Sequence, residues 1–365
     1  MLKSFIGRFG LVVVALALLA SGLFFLTGSA NAADGNAGVV YTESNASAGN
    51  AVLVYQRAAD GTLAAHGSIS TGGLGTGSGL GSQGALALTR LDHWLIAVNA
   101  GSNDVSVISL GNHRIASRTS SGGTTPVSVT VHENLVYVLN AGNDTISGFW
   151  LRPDGHLMPI PGSTKPLSAT NAGGAQISFA EEGRVLVVTE KNTNEIDTYT
   201  VGANGVAAGP TTHTSNGGVP FGFAVSRQNT LVVSEAAANA ASSYRVAANG
   251  NVNLVTGSVA NGQVAPCWVA VTRNGRYAYT ADAHNGTISG YGLAGNGQLT
   301  LLQGAAAVPG GAPLDESISR NDKFLYVLNP SLGMIDVLHI QGNGSLAALT
   351  NAGGIPASAA GLIAR

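Results

Sequence analysis

Short apolar runs that end on one polar residue recur along the chain. They read Val40-Tyr41-Thr42-Glu43, Leu95-Ile96-Ala97-Val98-Asn99, Val136-Tyr137-Val138-Leu139-Asn140, Leu186-Val187-Val188-Thr189-Glu190, Leu231-Val232-Val233-Ser234-Glu235, Ala278-Tyr279-Thr280-Ala281-Asp282 and Leu325-Tyr326-Val327-Leu328-Asn329. Their length and their content of Val, Ile and Tyr predict strands, and no helical period appears after residue 32. From Asn99 to Asn329 the polar anchors follow one another at steps of 41, 50, 45, 47 and 47 residues. A fixed period of that size is the mark of a repeat architecture.

Each anchor is followed by an Asn/Gly-rich turn and another strand, such as Thr145-Ile146-Ser147-Gly148-Phe149 or Thr287-Ile288-Ser289-Gly290-Tyr291. A hairpin turn comes next: Asp60-Gly61, Asp154-Gly155, Asn204-Gly205, Asn249-Gly250, Asn296-Gly297 and Asn343-Gly344. These dipeptides readily supply the positive φ that such turns need. A Gly-Gly pair (Gly72-Gly73, Gly122-Gly123, Gly173-Gly174, Gly217-Gly218, Gly310-Gly311, Gly353-Gly354) then leads to a strand often opened by proline, at 126, 220, 266, 313 and 356. Proline costs no ladder bond as the first residue of a strand. Four strands per repeat of about 47 residues predict an all-β, seven-bladed β-propeller with four antiparallel strands per blade. The repeat series begins on a second strand at Val39 and ends on a lone first strand, Pro356 to Leu362. That C-terminal strand is expected to join the first blade and close the ring by hydrogen bonds.

Ahead of the repeats, Lys3 and Arg8 flank an apolar stretch from Leu11 to Leu26, and Ala30-Asn31-Ala32 gives a small-x-small cleavage pattern. Residues 1–32 are therefore expected to be a secretory signal, cleaved after Ala32, and residues 33–365 a single propeller domain. A retained membrane anchor is the alternative reading of the same stretch. Cleavage would yield an exported protein, periplasmic or extracellular, expected to be monomeric and free of the membrane. It would keep 15 basic and 19 acidic side chains. With 45% apolar and 10% charged residues, the chain is no disordered polyanion, and it lacks the basic surface of a nucleic-acid binder. Cys267 is the single cysteine, which excludes an intrachain disulfide and a multi-cysteine metal site.

The repeats resemble the lactonase family of seven-bladed propellers, which includes bacterial 6-phosphogluconolactonase, fungal carboxymuconate cyclases and YVTN-repeat proteins. The likeness rests on Leu325-Tyr326-Val327-Leu328-Asn329, on Arg276-Tyr277-Ala278-Tyr279 after Asn274-Gly275, on Ile288-Ser289-Gly290-Tyr291, and on the step from Gly-Gly into a proline-opened strand. It covers the whole chain after the signal and implies the fold. Lactone-hydrolysing relatives often carry a Pro-x-His step on inner strands. Here those steps read Pro126-Val127-Ser128, Pro220-Phe221-Gly222, Pro266-Cys267-Trp268 and Pro313-Leu314-Asp315, without histidine.

Blade topology puts the ends of second strands and the starts of inner strands on one face of the ring. That face is expected to gather Glu190, Glu235, Asp282 and Asp315 from consecutive blades, with Trp268, Gln176 and His284 as ligand-binding candidates. A ring of carboxylates there would suit Ca²⁺, although no metal can be assigned from the sequence. Two of the acids could instead serve as acid and base on a bound ester if crowding raises one pKa. Polar anchors that merely cap strand ends are the competing structural reading. Gly79-Leu80-Gly81-Ser82-Gln83-Gly84 matches a dinucleotide fingerprint by letter but opens a strand, so it reads as a blade connection. Three functions stay open. The first is a hydrolase for a sugar lactone or related cyclic ester at the pore mouth. The others are a non-catalytic binder of a carbohydrate or protein, and a muconate-cyclase-like activity.

Overall fold

The computed structural model describes residues 37–365, so the expected signal at 1–32 lies outside the described residues. Seven antiparallel sheets make the seven blades. Blade 4 is representative: inner strand Gly174–Ala180, second strand Val185–Glu190, third strand Glu195–Val201, outer strand Ala207–Thr214. The closing strand is Ala360–Ala364, which pairs antiparallel with Gly38–Glu43 and completes blade 1, as the repeat count requires. Two details depart from the ideal blade. In blades 3 and 7 the outer strand is broken in two, Leu157–Pro159 with Lys165–Pro166 and Leu346–Ala348 with Ala352–Gly353. Prolines 126, 220 and 266 open their strands, but Pro313 and Pro356 precede strands that start at Glu316 and Ala360. The described residues contain only two short 3₁₀ turns and no helix long and apolar enough to cross a membrane.

The second strands are the driest part of the molecule. Leu95, Val138, Leu186, Val232, Ala278 and Val327 are fully buried between blades, where their apolar area supplies most of the driving force. Polar latches then fix the blade angles. At one end of the ring, a hydroxyl of each donor blade meets the glycine carbonyl of the next blade's hairpin turn. Ser117 reaches Gly155, Tyr137 reaches Gly205, Thr198 reaches Gly250 and Ser243 reaches Gly297, each at 2.7 Å; Tyr279 reaches Gly344 and Tyr326 reaches Gly61 at 2.9 Å. Gly61 has φ +92°, a conformation that leaves its carbonyl turned toward the neighbour and that a side chain would strain.

At the opposite end the latch is an asparagine four residues past the anchor. The side-chain oxygens of Asn103, Asn194 and Asn239 accept the backbone N–H of Thr125, Val219 and Ala265 in the following blade, at 2.7, 2.7 and 3.1 Å. Those three residues precede the strand-opening prolines and sit at φ 50°, 58° and 58°. Left-handed backbone costs an L-residue about 1–2 kcal/mol, so the latch holds strained backbone in place. Tyr326→Phe removes the hydroxyl that ties blade 7 to blade 1 and leaves the Gly61 carbonyl unpaired. It is expected to lower stability by about 1–2 kcal/mol. A calorimetric Tm unchanged from that of the parent would show that the latch carries no weight.

Candidate functional site

An inner strand has a neighbour on one side only, and its other edge faces the ring axis. Unpaired N–H and C=O groups on a buried edge are costly and must find partners. In blades 3 to 6 the inner strand bulges just after its opening residue, shifting register between Pro126 and Ser128, Gly174 and Gln176, Pro220 and Phe223, and Pro266 and Trp268. Bulges re-aim side chains, and here they turn toward the next blade. Ser128 Oγ accepts Ile177 N–H at 3.1 Å, and Ser317 Oγ accepts Ala364 N–H at 3.0 Å. Gln176 takes both groups of one residue, accepting from Phe223 N–H at 2.7 Å and donating to Phe223 C=O at 2.9 Å. Gln176 is thus spent on the scaffold.

The segment Gly79–Gly84 completes this belt by crossing the axis. Gln83, from blade 2, clasps Val269 of blade 6, donating to its carbonyl at 2.8 Å and accepting its N–H at 3.0 Å. Gln83 N–H donates to Ala175 C=O at 3.1 Å, Ser82 Oγ donates to Val127 C=O at 2.9 Å, and Val129 N–H donates to Gly84 C=O at 2.8 Å. Trp268 Nε1 donates to Ser82 C=O at 2.8 Å, and Lys191 Nζ donates to Gly81 C=O at 2.6 Å. Gly222 leaves no room for a side chain, since a Cβ there would collide with Gln83 Oε1 and the Cys267 carbonyl. The fingerprint-like sequence is a plug. Beneath it remains a cavity of about 10 Å³, lined by Ser82, Trp268, Leu314 and Asp315 among others.

Asp315 lines that cavity. Its Oδ2 accepts N–H bonds from Leu362 at 3.2 Å and Gly84 at 3.4 Å, and its Oδ1 accepts from Glu316 N–H at 2.9 Å. Burial pushes its pKa up to about 7, against the lowering effect of these three N–H groups. The other three acids are placed differently. Glu190 accepts from Ser168 N–H at 2.9 Å and from the Ser168 and Thr193 hydroxyls; Glu235 accepts from Gly217 N–H at 2.8 Å and Ser258 Oγ at 2.6 Å. Asp282 accepts from Asn261 at 2.8 Å, Ser289 at 2.7 Å, Thr287 at 3.1 Å and Thr280 at 3.2 Å. Each closes a network within its own blade and the connector that leads into it. The four acids share a face without converging, and among the described residues no three His, Cys, Asp or Glu side chains are placed to hold a metal ion.

The remaining candidates divide in the same way. Trp268 is buried with its ring edge on Phe221, centroids 5.0 Å apart, so it offers no open stacking face. His284 is exposed in the turn after Asp282. Cys267 is buried, and burial above all pushes its thiol up to about 12, which makes it a packed residue and no nucleophile. Sequence reasoning missed Lys191, which lies 5.0 Å from the Phe221 ring centroid over the plug, and Glu316, whose two carboxyl oxygens are buried without a partner. Burial, then Asp282 and Asp315, raise Glu316 well above the usual carboxylate range. The Pro-x-Asp-Glu spacing at Pro313 was the signal available for Glu316. Asp197 was missed too; burial and then the adjacent Glu190 push it up to about 8.

A family model described as lactonase, 7-bladed beta-propeller, matches residues 132–263 and 249–355. The chain belongs to that family. No curated protein sequence matches it. Among solved structures, a Lactobacillus plantarum protein superposes with a TM-score of 0.75 at 15% identity, covering 90% of this chain and 99% of the other. The periplasmic gluconolactonase of Pseudomonas aeruginosa superposes with a TM-score of 0.70 at 14% identity, covering 90% and 98%. Virginiamycin B lyase from Staphylococcus aureus is similar over 73% of this chain and 84% of its own, with a TM-score of 0.54 at 14% identity. At such identities these likenesses establish the fold.

The buried acids set the direction of the pH response. Asp282 and Asp336 stand at about 6, Asp315 at about 7 and Asp197 at about 8, all above their unfolded value of about 3.9. The folded state therefore holds protons that the unfolded chain has already released. Stability from these groups is complete below about pH 4 and is lost as pH rises through 6 to 8. Tm measured from pH 5 to pH 8.5 is expected to fall, and Asp197→Asn should flatten the upper part of that fall. A Tm that rises over this range would contradict the assignment.

Proposed function

We propose that this chain is an exported lactonase-family propeller that hydrolyses the lactone of an unphosphorylated sugar at the plugged mouth. The observation that carries the reading is Asp315: a carboxyl with a pKa of about 7, lining the mouth cavity, with no cation hydrogen-bonded to it. Such a group both takes and returns a proton near neutral pH. Water adds to the lactone carbonyl carbon while Asp315 accepts its proton; the ring C–O bond then breaks, and Asp315 returns the proton to the departing ring oxygen. The product is the open hydroxy acid. The secretory signal expected at residues 1–32 supports an unphosphorylated substrate, since phosphorylated sugars are cytosolic, and the likeness to the periplasmic gluconolactonase of Pseudomonas aeruginosa agrees with that choice.

Entry requires the Gly79–Gly84 segment to lift. Its clasps contribute about 1 kcal/mol each net, so the sealed mouth is the ground state and turnover is expected to be slow. The same seal favours the second reading, a propeller that binds a carbohydrate or protein without turnover, since a cavity of about 10 Å³ admits no sugar ring. Two variants separate them. Gln83→Ala removes both bonds to Val269 and should raise kcat/KM on aldonolactones about 10-fold, the effect of roughly 1.4 kcal/mol on opening. Asp315→Asn should abolish turnover; it will also lower Tm, because an amide NH₂ cannot accept the N–H groups that Asp315 holds. Parent protein and Gln83→Ala that both leave aldonolactones intact would overturn the hydrolase reading and leave the binding one.

A further inference from the structure

At the end of the ring opposite the plug, three guanidiniums converge on one cleft of about 490 Å³ between blades 7, 1 and 2. Arg57 ends the strand Ala51–Arg57, Arg320 stands in the turn after Glu316–Ile318, and Arg365 follows the closing strand. One side-chain carboxylate answers them. Asp92 pairs with Arg320 and with Arg365, the latter at 3.6 Å. Three cationic side chains thus face one anionic side chain, in a chain whose formal net charge is −2.

The cations are held in place and partly unused. Arg57 is 4% exposed, its Nη2 donates to the Ala37 carbonyl, and its Nε and Nη1 have no hydrogen-bond partner. Its Nη2 also lies 3.4 Å from the main-chain oxygen of Arg365, and no Asp or Glu side chain among the described residues pairs with it, so it adds positive potential beneath the cleft. The Arg320 and Arg365 side chains keep 44% and 28% of their surface exposed, and Asp92 occupies part of each fork. Asp92 itself sits at φ 54°, a strained backbone that holds its carboxylate between the two. A second cleft of about 370 Å³ shares Asp92 and Arg365 with the first and runs on to Trp94 and Ser109. An oxyanion beside a flat apolar wall with hydroxyl and carbonyl partners is the recognition pattern of an acidic saccharide.

We propose that this double cleft binds a sugar carboxylate, with the carboxylate on the free edges of Arg320 and Arg365 and the sugar ring against Trp94. The site is separate from the mouth and does not depend on whether the mouth is catalytic. The test is calorimetric titration of the protein, expressed from the full chain, with digalacturonate. Neutral digalactose, inorganic phosphate and phosphatidylglycerol vesicles are the other arms. Digalacturonate is expected to bind, to weaken as salt rises, and to lose at least about 10-fold in affinity in Arg320→Gln and in Trp94→Ala. Arg320→Gln should leave lactone turnover and Tm essentially as in the parent, which separates failure here from failure at the mouth. Equal binding of digalactose, binding of phosphate or vesicles without binding of digalacturonate, or full affinity in Arg320→Gln would each overturn the proposal.

Discussion

Seven inner strands each carry one edge with no strand to pair it, and all seven edges face the same narrow axis. Every other choice in the structure follows from how those edges are satisfied. A wide tunnel would leave them to water. This chain uses side chains instead: Ser128, Gln176 and Asp315 reach from one blade to the backbone of the next, and Gln83 spans the axis to Val269. Ring closure belongs to the same scheme, because the closing strand receives not only the ladder from Gly38–Glu43 but also Asp315 and Ser317 from blade 7.

A consequence for chemistry is that structure and reactivity compete for one residue. Asp315 is buried because it must serve three backbone donors, and burial is what lifts its pKa to about 7. The plug that pairs with it also excludes water from it. An enzyme built this way gains a proton carrier suited to neutral pH and loses open access, so any turnover must pass through the opening of Gly79–Gly84. The arginine-lined cleft at the other end faces no such conflict. Its cations line open clefts, and only Arg57 is sealed.

The repeat, the seven blades and the closing strand were legible because each rests on local signals: an apolar run, an Asn-Gly or Asp-Gly turn, a Gly-Gly connector. The latches were not. Asn103, Asn194 and Asn239 looked like ordinary turn residues until the blade angle brought the next blade's strained residue to them. Topology puts the four acids at strand ends on one face, but Glu190, Glu235 and Asp282 turn to hydroxyl and N–H groups of their own blade and connector. Side-chain direction at a strand end depends on those partners, and one polar letter does not reveal it. Gly79–Gly84 is the blade connection its sequence suggested, between Leu63–Ser70 and Leu86–Leu88, but nothing in its letters showed that it also enters the crowded axis. The cleft of Arg57, Arg320 and Arg365 had no sequence signal, since its members stand 263 and 45 positions apart.

The central claim is that the axis is sealed by backbone and side chains acting as one cooperative unit. Residue-resolved amide hydrogen exchange measures that directly. If the account is right, the amides of Gln83 and Gly84 exchange together and far more slowly than an exposed turn, through a local opening that precedes the global unfolding needed to release the second-strand amides of Leu186–Glu190. Exchange of Gln83 and Gly84 at the rate of an exposed turn such as Asn343-Gly344, with the second strands protected, would show a mouth that stands open and would contradict it.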